Sequence, residues 1–464
     1  MSKIESYVCD VKMSKGMVVT MRGTLRLVAG LMAIGLFAAT AHADEVTDWN
    51  QTMLRASLVA GSTPLAMSRI SAIVQASVFD AVNGIERRYS PIHVPATGPA
   101  SASRRAAVVQ AAYIALVKLY PAQLSTFDAR RTISLASIAA DESGAAIASG
   151  IAWGENVANL IWEWRLTDGI GNSTPSWPGN TTIGQWRPTP NAPYPGTSAN
   201  GAGYPQFVFM TPWVIAAPSE FRPAPPPSLT SARYARDYNE TKSMGSFSSS
   251  TRTSDQTTAA FFWQASTASY FWNHLAVSLI EAGDSEDGER DDRDDRGRDH
   301  DGDHHHGRSS LLDNARILGT LDVAMADAAI GCWDAKYAYN YWRPITAIRE
   351  TADDGNGRTT PDPAWAPLFA TPAFPEYPSG HSCVSGAAAA ILAHEFGEKT
   401  HFRMTSDVLL GVTRSFKSFS AALEDVKDAR VFAGIHFRTA TEVGQALGAS
   451  VGRSVLENAF NRVR

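Results

Sequence analysis

Apolar residues recur three and four positions apart through the first third of the chain. The segment 66–82 places them at i, i+3 and i+4, and the segments 104–120, 122–140 and 144–164 repeat that spacing, the last less regularly. This spacing gives a helix one apolar stripe, so it is typical of amphipathic α-helices. We therefore predict that residues 46–166 are mainly helical.

The same spacing returns in the second half of the chain. It covers residues 231–244, 255–282 and 311–342, and Pro344 marks the predicted end of the longest of these helices. No segment shows a convincing alternation of apolar and polar residues, which would predict strands. The predicted fold is all-α, with two packed helical bundles and long irregular loops.

Two segments interrupt the helical pattern. Residues 167–229 are rich in Gly, Pro, Asn, Ser and Thr but also carry Trp and Tyr, so we expect an ordered cover over a bundle. Whether it shapes a substrate entrance or only wraps the core stays open. Residues 284–308 contain no hydrophobic residue, which predicts a disordered insertion, with metal binding by its His and Asp residues as the alternative. The predicted domains are an N-terminal bundle with its covering loop, 44–230, and a C-terminal bundle, 231–464.

The first 43 residues are predicted to be a secretory signal peptide. Arg22 and Arg26 precede an apolar run, 27–40, which ends in the Ala-His-Ala sequence 41–43. That arrangement matches a signal peptide with an A-x-A cleavage site, so the mature chain would start at Asp44 and be periplasmic or secreted. An uncleaved N-terminal anchor is the alternative. We expect no other stable membrane span.

Composition and charge argue against one class of partner. The 464 residues are 44% hydrophobic and 19% charged, as in ordinary globular proteins. The net charge is −5 and no basic stripe with interleaved aromatic residues occurs, so we expect no nucleic acid partner. Without the signal peptide only Cys332 and Cys383 remain, and a disulfide in an exported compartment or two buried free thiols are both open.

The stretch 374–382, Phe-Pro-Glu-Tyr-Pro-Ser-Gly-His-Ser, is the first candidate for chemistry. Its two prolines and its glycine exclude a helix through it, and the small apolar residues that follow predict a close-packed helix ending near Gly397. Ser379, Gly380 and His381 would then lie at a helix N-terminus. Unpaired backbone N–H groups and the helix dipole favour an anion there.

Two further motifs contribute basic residues. Lys336 and Arg343-Pro are seven residues apart, which is two helical turns, so both side chains are expected on one face of the predicted helix 311–342. The third motif is Arg-x3-Gly-x-His, from Arg430 to His436. These basic residues lie among apolar and aromatic neighbours, and buried cations need anions.

The last helix is predicted to begin in Thr-Ala-Thr-Glu, 439–442, because this sequence has capping-box spacing. His436 would then lie on the turn before that helix. No acidic residues repeat with a spacing that matches the basic ones. Three cations, a helix N-terminus and two histidines therefore predict a pocket for a multiply charged oxyanion.

The three motifs occur together in one superfamily. Lys-x6-Arg-Pro, Pro-Ser-Gly-His and Arg-x3-Gly-x-His, in this order between Lys336 and His436, resemble the vanadium-dependent haloperoxidases and the type 2 phosphatidic-acid-phosphatase-like acid phosphatases. A looser resemblance covers most of the mature chain, whose layout is similar to that of bacterial vanadium chloroperoxidase-like proteins. The resemblance implies that vanadate or phosphate binds in the predicted pocket.

The resemblance also implies a role for each motif residue. His436 would be the axial ligand to vanadium, or the nucleophile that takes a phosphoryl group, and His381 would be the general acid–base. The oxygen atoms of the bound oxyanion would be held by Lys336, Arg343, Ser379, Gly380 and Arg430. One pocket can serve both activities because vanadate mimics the geometry of phosphoryl transfer.

Two aromatic positions favour the haloperoxidase branch. That branch has a Trp three residues before the motif Lys and a Phe seven before the motif His, and here these are Trp333 and Phe374. They would flank a halide site, although simple core packing is the alternative. Many phosphatase relatives carry a Ser and an Asp where this chain has Ala429 and Ala440, so what orients His436 stays open. Glu442 is near in sequence.

The predicted function is a vanadate-dependent haloperoxidase that uses hydrogen peroxide to oxidise a halide to hypohalous acid, which halogenates a small organic molecule. The alternative is a phosphomonoester hydrolase that works through a phosphohistidine at His436. A third hypothesis is an exported anion-binding or metal-binding protein whose working part is the His-rich insertion. That hypothesis predicts that deletion of residues 284–308 abolishes function.

Overall fold

The structure is a computed structural model that describes residues 44–173, 175–189, 202–287, 310–350 and 354–463. These residues belong to one compact unit. The predicted signal peptide lies outside them, as does most of the predicted insertion. Its first four residues, 284–287, are the end of a helix. The division into two bundles at residue 230 stays a prediction.

Helices dominate the described residues, as the spacing of apolar positions predicted, so the all-α class is confirmed. The thirteen α-helices found there are α1 Glu45–Val59, α2 Pro64–Glu86, α3 Arg104–Leu119, α4 Leu124–Ile138, α5 Gly144–Leu166, α6 Ala232–Met244, α7 Ser254–Gln264, α8 Ala268–Asp287, α9 Leu311–Tyr339, α10 Pro344–Glu350, α11 Gly380–Phe396, α12 Phe419–Phe432 and α13 Arg438–Asn458. A short antiparallel hairpin, β1 Phe402–Thr405 and β2 Thr413–Phe416, was not predicted. Four-residue strands are too short to show a clear alternation.

Side-chain caps fix several helix starts. The Asp44 carboxylate accepts the Thr47 N–H at 2.9 Å at the start of α1, and Ser103 and Ser143 cap α3 and α5 in the same way. Such caps satisfy backbone donors that the first turn of a helix leaves without a partner. Helix α2 instead begins with Pro64, whose missing N–H costs nothing at that position.

Helix α9 is the centre of the molecule. It packs against α2 on one side and against α11 and α13 on the other. Nearly all of its residues from Leu312 to Tyr337 are buried. A helix surrounded in this way needs apolar residues on most of its surface, which explains its long, largely apolar sequence.

Helices α11 and α13 lie unusually close together because glycine residues face the contact. At Gly448 a Cβ atom would overlap the backbone carbonyl oxygen of Cys383. A disulfide joins Cys332 of α9 to Cys383 of α11, with the two Cα atoms 6.2 Å apart. Of the two open alternatives for these cysteines, the structure has the disulfide. It connects the helix that carries Lys336 with the helix that carries His381.

Two helix boundaries differ from the predictions. The segment 255–282 is divided into α7 and α8, although it contains no proline before Ala282. The Thr267 hydroxyl accepts the Tyr270 N–H at 3.2 Å, and this cap starts a new helix. Helix α9 ends before Arg343, because Asn340 adopts a left-handed conformation with φ of 46°.

The covering loop, 167–229, is ordered where the structure describes it. Trp177 packs edge-on against Tyr337 with the ring centroids 4.9 Å apart, and its indole N–H donates to Asn340 at 2.8 Å. Farther along, the Asp327 carboxylate of α9 accepts backbone N–H groups of residues 213–215 at 2.7–3.0 Å. The loop is therefore attached along α9, the helix that carries the first motif.

Helix α2 is long and apolar enough to cross a membrane by length and composition, but 89% of its apolar window lies inside the protein. Helix α3 and the segment 121–138 would pass the same test only as one span bent by 119°. A buried core helix has the same length and composition, so α2 is accounted for by packing in the core.

Candidate active site

The three sequence motifs meet at the N-terminus of α11. Ser379 is the N-cap residue, and Gly380 and His381 open the helix, as predicted. The Ser379 hydroxyl makes no capping bond and is buried without a hydrogen-bond partner among the described residues. A buried polar atom without a partner is costly, so its presence here points to a ligand that the turn can bind.

Lys336 lies beside this turn, in the last turn of α9. Its ammonium group is fully buried and donates to the carbonyl oxygens of Pro375 at 3.1 Å, Glu376 at 3.0 Å and Pro378. These bonds hold the turn 375–378 in place. The same burial, together with the nearby Arg343 guanidinium, moves the pKa of Lys336 well below its usual value.

Arg343 reaches the site from the connection between α9 and α10. The predicted shared helical face with Lys336 is wrong, because α9 ends at Tyr339. The guanidinium is nevertheless buried in the same place, where Nε donates to the Phe374 carbonyl and Nη1 to the Ile435 carbonyl, both at 2.8 Å. Arg343 therefore connects the turn before α11 with the segment that carries His436.

The third motif lies at the end of α12 and the turn after it. Arg430 is almost fully buried in the last turn of α12, and its Nη2 donates to Gln264 at 2.9 Å. Gly434 has a φ of +75°, and a Cβ atom there would overlap the Gly245 carbonyl oxygen. Both constraints require glycine, which explains this position of the motif. The tight turn directs His436 back into the pocket.

His436 lies between the carboxylate of Glu376 and the guanidinium of Arg343. Its Nδ1 is 2.9 Å from Oε1 of Glu376, and its Nε2 is 3.3 Å from Nη1 of Arg343. A guanidinium can only donate, so Nε2 must be the acceptor and Nδ1 must carry the proton. Burial and the charges of Arg343, Lys336 and Arg430 move the pKa of His436 well below its usual value, which keeps the ring neutral.

Glu376 is the functional residue that the sequence prediction missed. It is completely buried, and its Oε1 also accepts the Phe437 N–H at 2.9 Å, at the start of α13. Burial raises the pKa of its carboxyl group to about 7, which the Arg343 charge opposes. Glu442 instead pairs with Arg233 on the surface, and the predicted capping box does not form. Glu376 is inside the turn motif, but its distance of 60 residues from His436 conceals the contact.

His381 faces the same cavity from the first turn of α11. The backbone carbonyl groups of Trp263 and Ser266, at the break between α7 and α8, act to raise the pKa of its ring. The Nε2 atom is buried and has no partner among the described residues. Burial and the Arg430 charge move the pKa of His381 well below its usual value, so it is neutral and can accept a proton.

The two predicted halide residues lie together in the pocket. Trp333 and Phe374 have ring centroids 5.0 Å apart at an angle of 56°, and the Lys336 ammonium is 5.4 Å from each ring. At Gly380 a Cβ atom would come within 3.0 Å of the Trp333 ring, so the turn packs tightly against this aromatic pair. The pair forms an apolar wall beside a positively charged group.

These residues enclose a small cavity and adjoin a larger cleft. The cavity measures about 50 Å³ and is lined by residues of the second and third motifs, Gly380, His381, Arg430 and His436, and by the aromatic pair Trp333 and Phe374. The cleft measures about 750 Å³ and shares Pro64, Gln264 and His381 with the cavity. Tyr204 of the covering loop also lines the cleft. That the loop shapes a substrate entrance stays a prediction.

Known proteins with this architecture include several solved structures. A bacterial vanadium-dependent iodoperoxidase superposes with a TM-score of 0.72 and 25% identity, covering 90% of this chain and 97% of that one. The holo form of a bacterial vanadium-dependent chloroperoxidase has a TM-score of 0.65 and 16% identity over 91% and 94% of the two chains. The chain has the fold of the vanadium-dependent haloperoxidases.

Sequence comparison agrees for the C-terminal part of this haloperoxidase fold. The family described as the VCPO second helical-bundle domain matches residues 316–464, which contain all three motifs. The vanadium chloroperoxidase of Curvularia inaequalis is 36% identical over 85 residues, covering 16% of this chain. The match spans only 13% of that protein's length. The resemblance inferred from the motifs is thus confirmed, whereas the roles of individual site residues stay predictions.

Proposed function

We propose that this chain is a vanadate-dependent haloperoxidase, which oxidises halide with hydrogen peroxide to hypohalous acid. The observation that carries the proposal is the pocket itself, where three buried cations surround a histidine whose Nε2 is free of its proton. The relatives named above are a chloroperoxidase or an iodoperoxidase, which favours this activity over phosphate ester hydrolysis. An iodide or chloride preference does not follow from either name.

The donors in the pocket fit an oxyanion such as vanadate. Lys336, Arg343 and Arg430 would balance its negative charge, and the Ser379 hydroxyl and Gly380 N–H would bond its oxygen atoms. The Ser379 hydroxyl, buried without a partner among the described residues, supports this fit. His436 would bind the metal through Nε2. When bound, vanadate supplies a Lewis-acidic centre at which hydrogen peroxide is activated to oxidise the halide.

The remaining residues would handle protons and halide. His381 would take a proton from hydrogen peroxide at Nε2 and later return one, because its ring is neutral, this atom has no partner among the described residues, and the residue lines the cavity. Trp333 and Phe374 would hold a weakly hydrated halide against their edges and exclude water. The cleft would admit peroxide, halide and a small organic acceptor from solvent.

We also propose that the protein is exported, since residues 1–43 have the sequence of a signal peptide. Mass measurement of the protein recovered outside the cytoplasm should give a chain that starts at Asp44. A chain that retains Arg22 and Arg26 would instead support the anchor alternative.

A phosphomonoester hydrolase remains the second candidate, because one observation favours it. The carboxylate that such enzymes use to orient a nucleophilic histidine is missing at Ala440, but Glu376 provides a carboxylate at 2.9 Å from Nδ1 of His436. His436 could then take a phosphoryl group at Nε2. The absence of an Asp at position 440 therefore no longer counts against this activity.

A paired assay of the chain expressed from Asp44 separates the two functions. One arm follows halogenation of a reporter dye with bromide and peroxide, before and after addition of orthovanadate. The other arm follows hydrolysis of an aryl phosphate without vanadate. We expect halogenation that depends on vanadate. Hydrolysis that vanadate inhibits, without any halogenation, would replace the haloperoxidase proposal with the phosphatase.

A further inference from the structure

We propose that Glu376 is the positioning residue for His436: its carboxylate fixes the tautomer and increases the donor strength of Nε2 toward vanadium. The inference rests on the proposed function, since it concerns the bond that His436 would make with vanadate. It assigns to the turn before α11 a role that phosphatase relatives give to an aspartate after the motif histidine, where this chain has Ala440.

One oxygen of the Glu376 carboxylate lies close to two N–H groups. Oε1 of Glu376 lies 2.9 Å from Nδ1 of His436 and 2.9 Å from the Phe437 nitrogen, so one oxygen receives both N–H groups. The second oxygen, Oε2, is buried and has no partner among the described residues. Because both donors bond to one oxygen, the imidazole of His436 is held at a fixed angle to the backbone N–H of Phe437.

On the opposite side of the His436 ring, Arg343 lies close to Nε2. Arg343 approaches Nε2 at 3.3 Å and can only donate, which places the ring proton on Nδ1. Nε2 then keeps its lone pair, which Arg343 approaches here and which vanadium would take. A carboxylate that accepts the Nδ1–H withdraws that proton partly, and this makes Nε2 a stronger ligand.

Other acids near the site do not take this place. Asp237 accepts from the backbone and hydroxyl of Thr439, and Glu442 pairs with Arg233 on the surface. Within the described parts of the chain, Glu376 is thus the acid in hydrogen-bond contact with His436.

A structural role for Glu376 is the competing explanation, and Asp327 shows what such a role looks like. The Asp327 carboxylate is fully buried and accepts three backbone N–H groups of the covering loop, at 2.7–3.0 Å. It has no imidazole partner among those contacts. If Glu376 only capped the Phe437 N–H, replacing its charge would affect the fold in the same way and leave the ligand strength of His436 unchanged.

The test compares two oxyanions on the full mature chain. Inorganic phosphate uses the cations and the turn, whereas orthovanadate also uses a bond from Nε2. In Glu376→Gln the amide oxygen can still accept both N–H groups, but the negative charge is gone. We expect orthovanadate affinity to fall about 10-fold to 100-fold, as for other partners of a metal-binding histidine. Phosphate affinity should stay the same or rise, because a negative charge near the anion has been removed.

The matched control is Asp327→Asn, which should leave the ratio of vanadate to phosphate affinity at the parent value. Equal affinity changes for both anions in Glu376→Gln would overturn the positioning role. A parent protein that binds orthovanadate no better than phosphate would overturn the proposed function, and the positioning role with it. Preserved vanadate preference in Glu376→Gln would overturn only the positioning role.

A measurement on the parent protein covers the case in which Glu376→Gln fails to fold. Nitrogen-15 NMR of histidine-labelled protein, assigned by comparison with His436→Ala, distinguishes a protonated from an unprotonated ring nitrogen. We expect His436 to carry its proton on Nδ1 and none on Nε2. A proton on Nε2 would contradict the inference without the need for a Glu376 variant.

Discussion

The molecule buries two groups of cations, and they differ in what neutralises them. In the N-terminal half, Arg69 and Arg165 share the carboxylate of Asp168, at 2.7 Å and 3.2 Å. Arg165 also donates to the Thr211 carbonyl at 2.7 Å and lies 4.2 Å from the centre of the Trp213 ring. All of this positive charge is used to attach the covering loop to α5 and α2.

The pocket uses its charge differently. The Lys336 ammonium contacts three backbone carbonyl oxygens and, within the described residues, no carboxylate. The carboxylate of Glu376, in the same pocket, bonds to His436. Burial first, and then repulsion among Lys336, Arg343 and their neighbours, moves the pKa of both Lys336 and His436 downward. The first group is complete without a ligand, whereas the second has an excess of positive charge that an oxyanion would balance.

The largest effect is expected at His436. His436→Ala should lower halogenation by on the order of 10⁴-fold, because it removes the proposed ligand atom. The urea midpoint for unfolding should stay close to that of the parent, since the Phe437 N–H still has Glu376 as its acceptor. A variant that keeps its activity would contradict the assignment of the pocket.

Arg165 should give the opposite result. Arg165→Met leaves the buried Asp168 with one partner fewer, and the free energy of unfolding should fall by about 3–5 kcal/mol. Orthovanadate affinity should be unchanged at a temperature where the variant is folded. Lys336→Met is the matched comparison, and it should lose less stability but bind vanadate more weakly. Similar losses of stability in both variants would remove the contrast between the two groups.

A smaller effect, on stability alone, is expected at Asp322. This buried acid has polar partners rather than a cation, and we assign it no role in binding. It accepts from Asn273 at 2.6 Å, and burial raises its pKa from 3.8 to about 7. The folded state therefore holds a proton that the unfolded state releases above pH 4, and this contribution to stability is lost as the pH rises through 7. Asp322→Asn keeps the bond to Asn273 without the charge.

Urea unfolding of the parent and of Asp322→Asn at pH 5 and pH 8 measures this effect. The free energy of unfolding of Asp322→Asn, relative to that of the parent, should increase by on the order of 2 kcal/mol from pH 5 to pH 8, because each unit of pKa shift corresponds to about 1.4 kcal/mol. The same difference in free energy of unfolding at both pH values would show that the Asp322 carboxyl is ionised in the folded state from pH 5 to pH 8.

Sequence alone predicted the helices and brought the right motifs together, for physical reasons. The apolar spacing of segments such as 66–82 and 311–339 is set by burial on a helix, so it can be recognised without tertiary information. The turn before α11 could be predicted because proline and glycine restrict the backbone directly. Of the motif residues that we expected in one pocket, Gly380, His381, Arg430 and His436 line one cavity, and the Arg343 guanidinium contacts His436.

The features that were missed depend on contacts between distant segments or on a single local conformation. The end of α9 follows from the left-handed backbone of Asn340, and no proline or glycine marks it. The break between α7 and α8 follows from one threonine cap at Thr267. The Glu376–His436 contact joins residues 60 positions apart, so neither spacing nor composition reveals it.

The central claim is that the pocket holds its excess positive charge for an oxyanion, and titration calorimetry with orthovanadate tests it most directly. We predict one saturable site on the chain expressed from Asp44, with a rise in the thermal unfolding midpoint as the site fills. Binding should be much weaker in Lys336→Met and unchanged in Arg165→Met. No saturable binding, or equal binding in the parent and in Lys336→Met, would contradict the account.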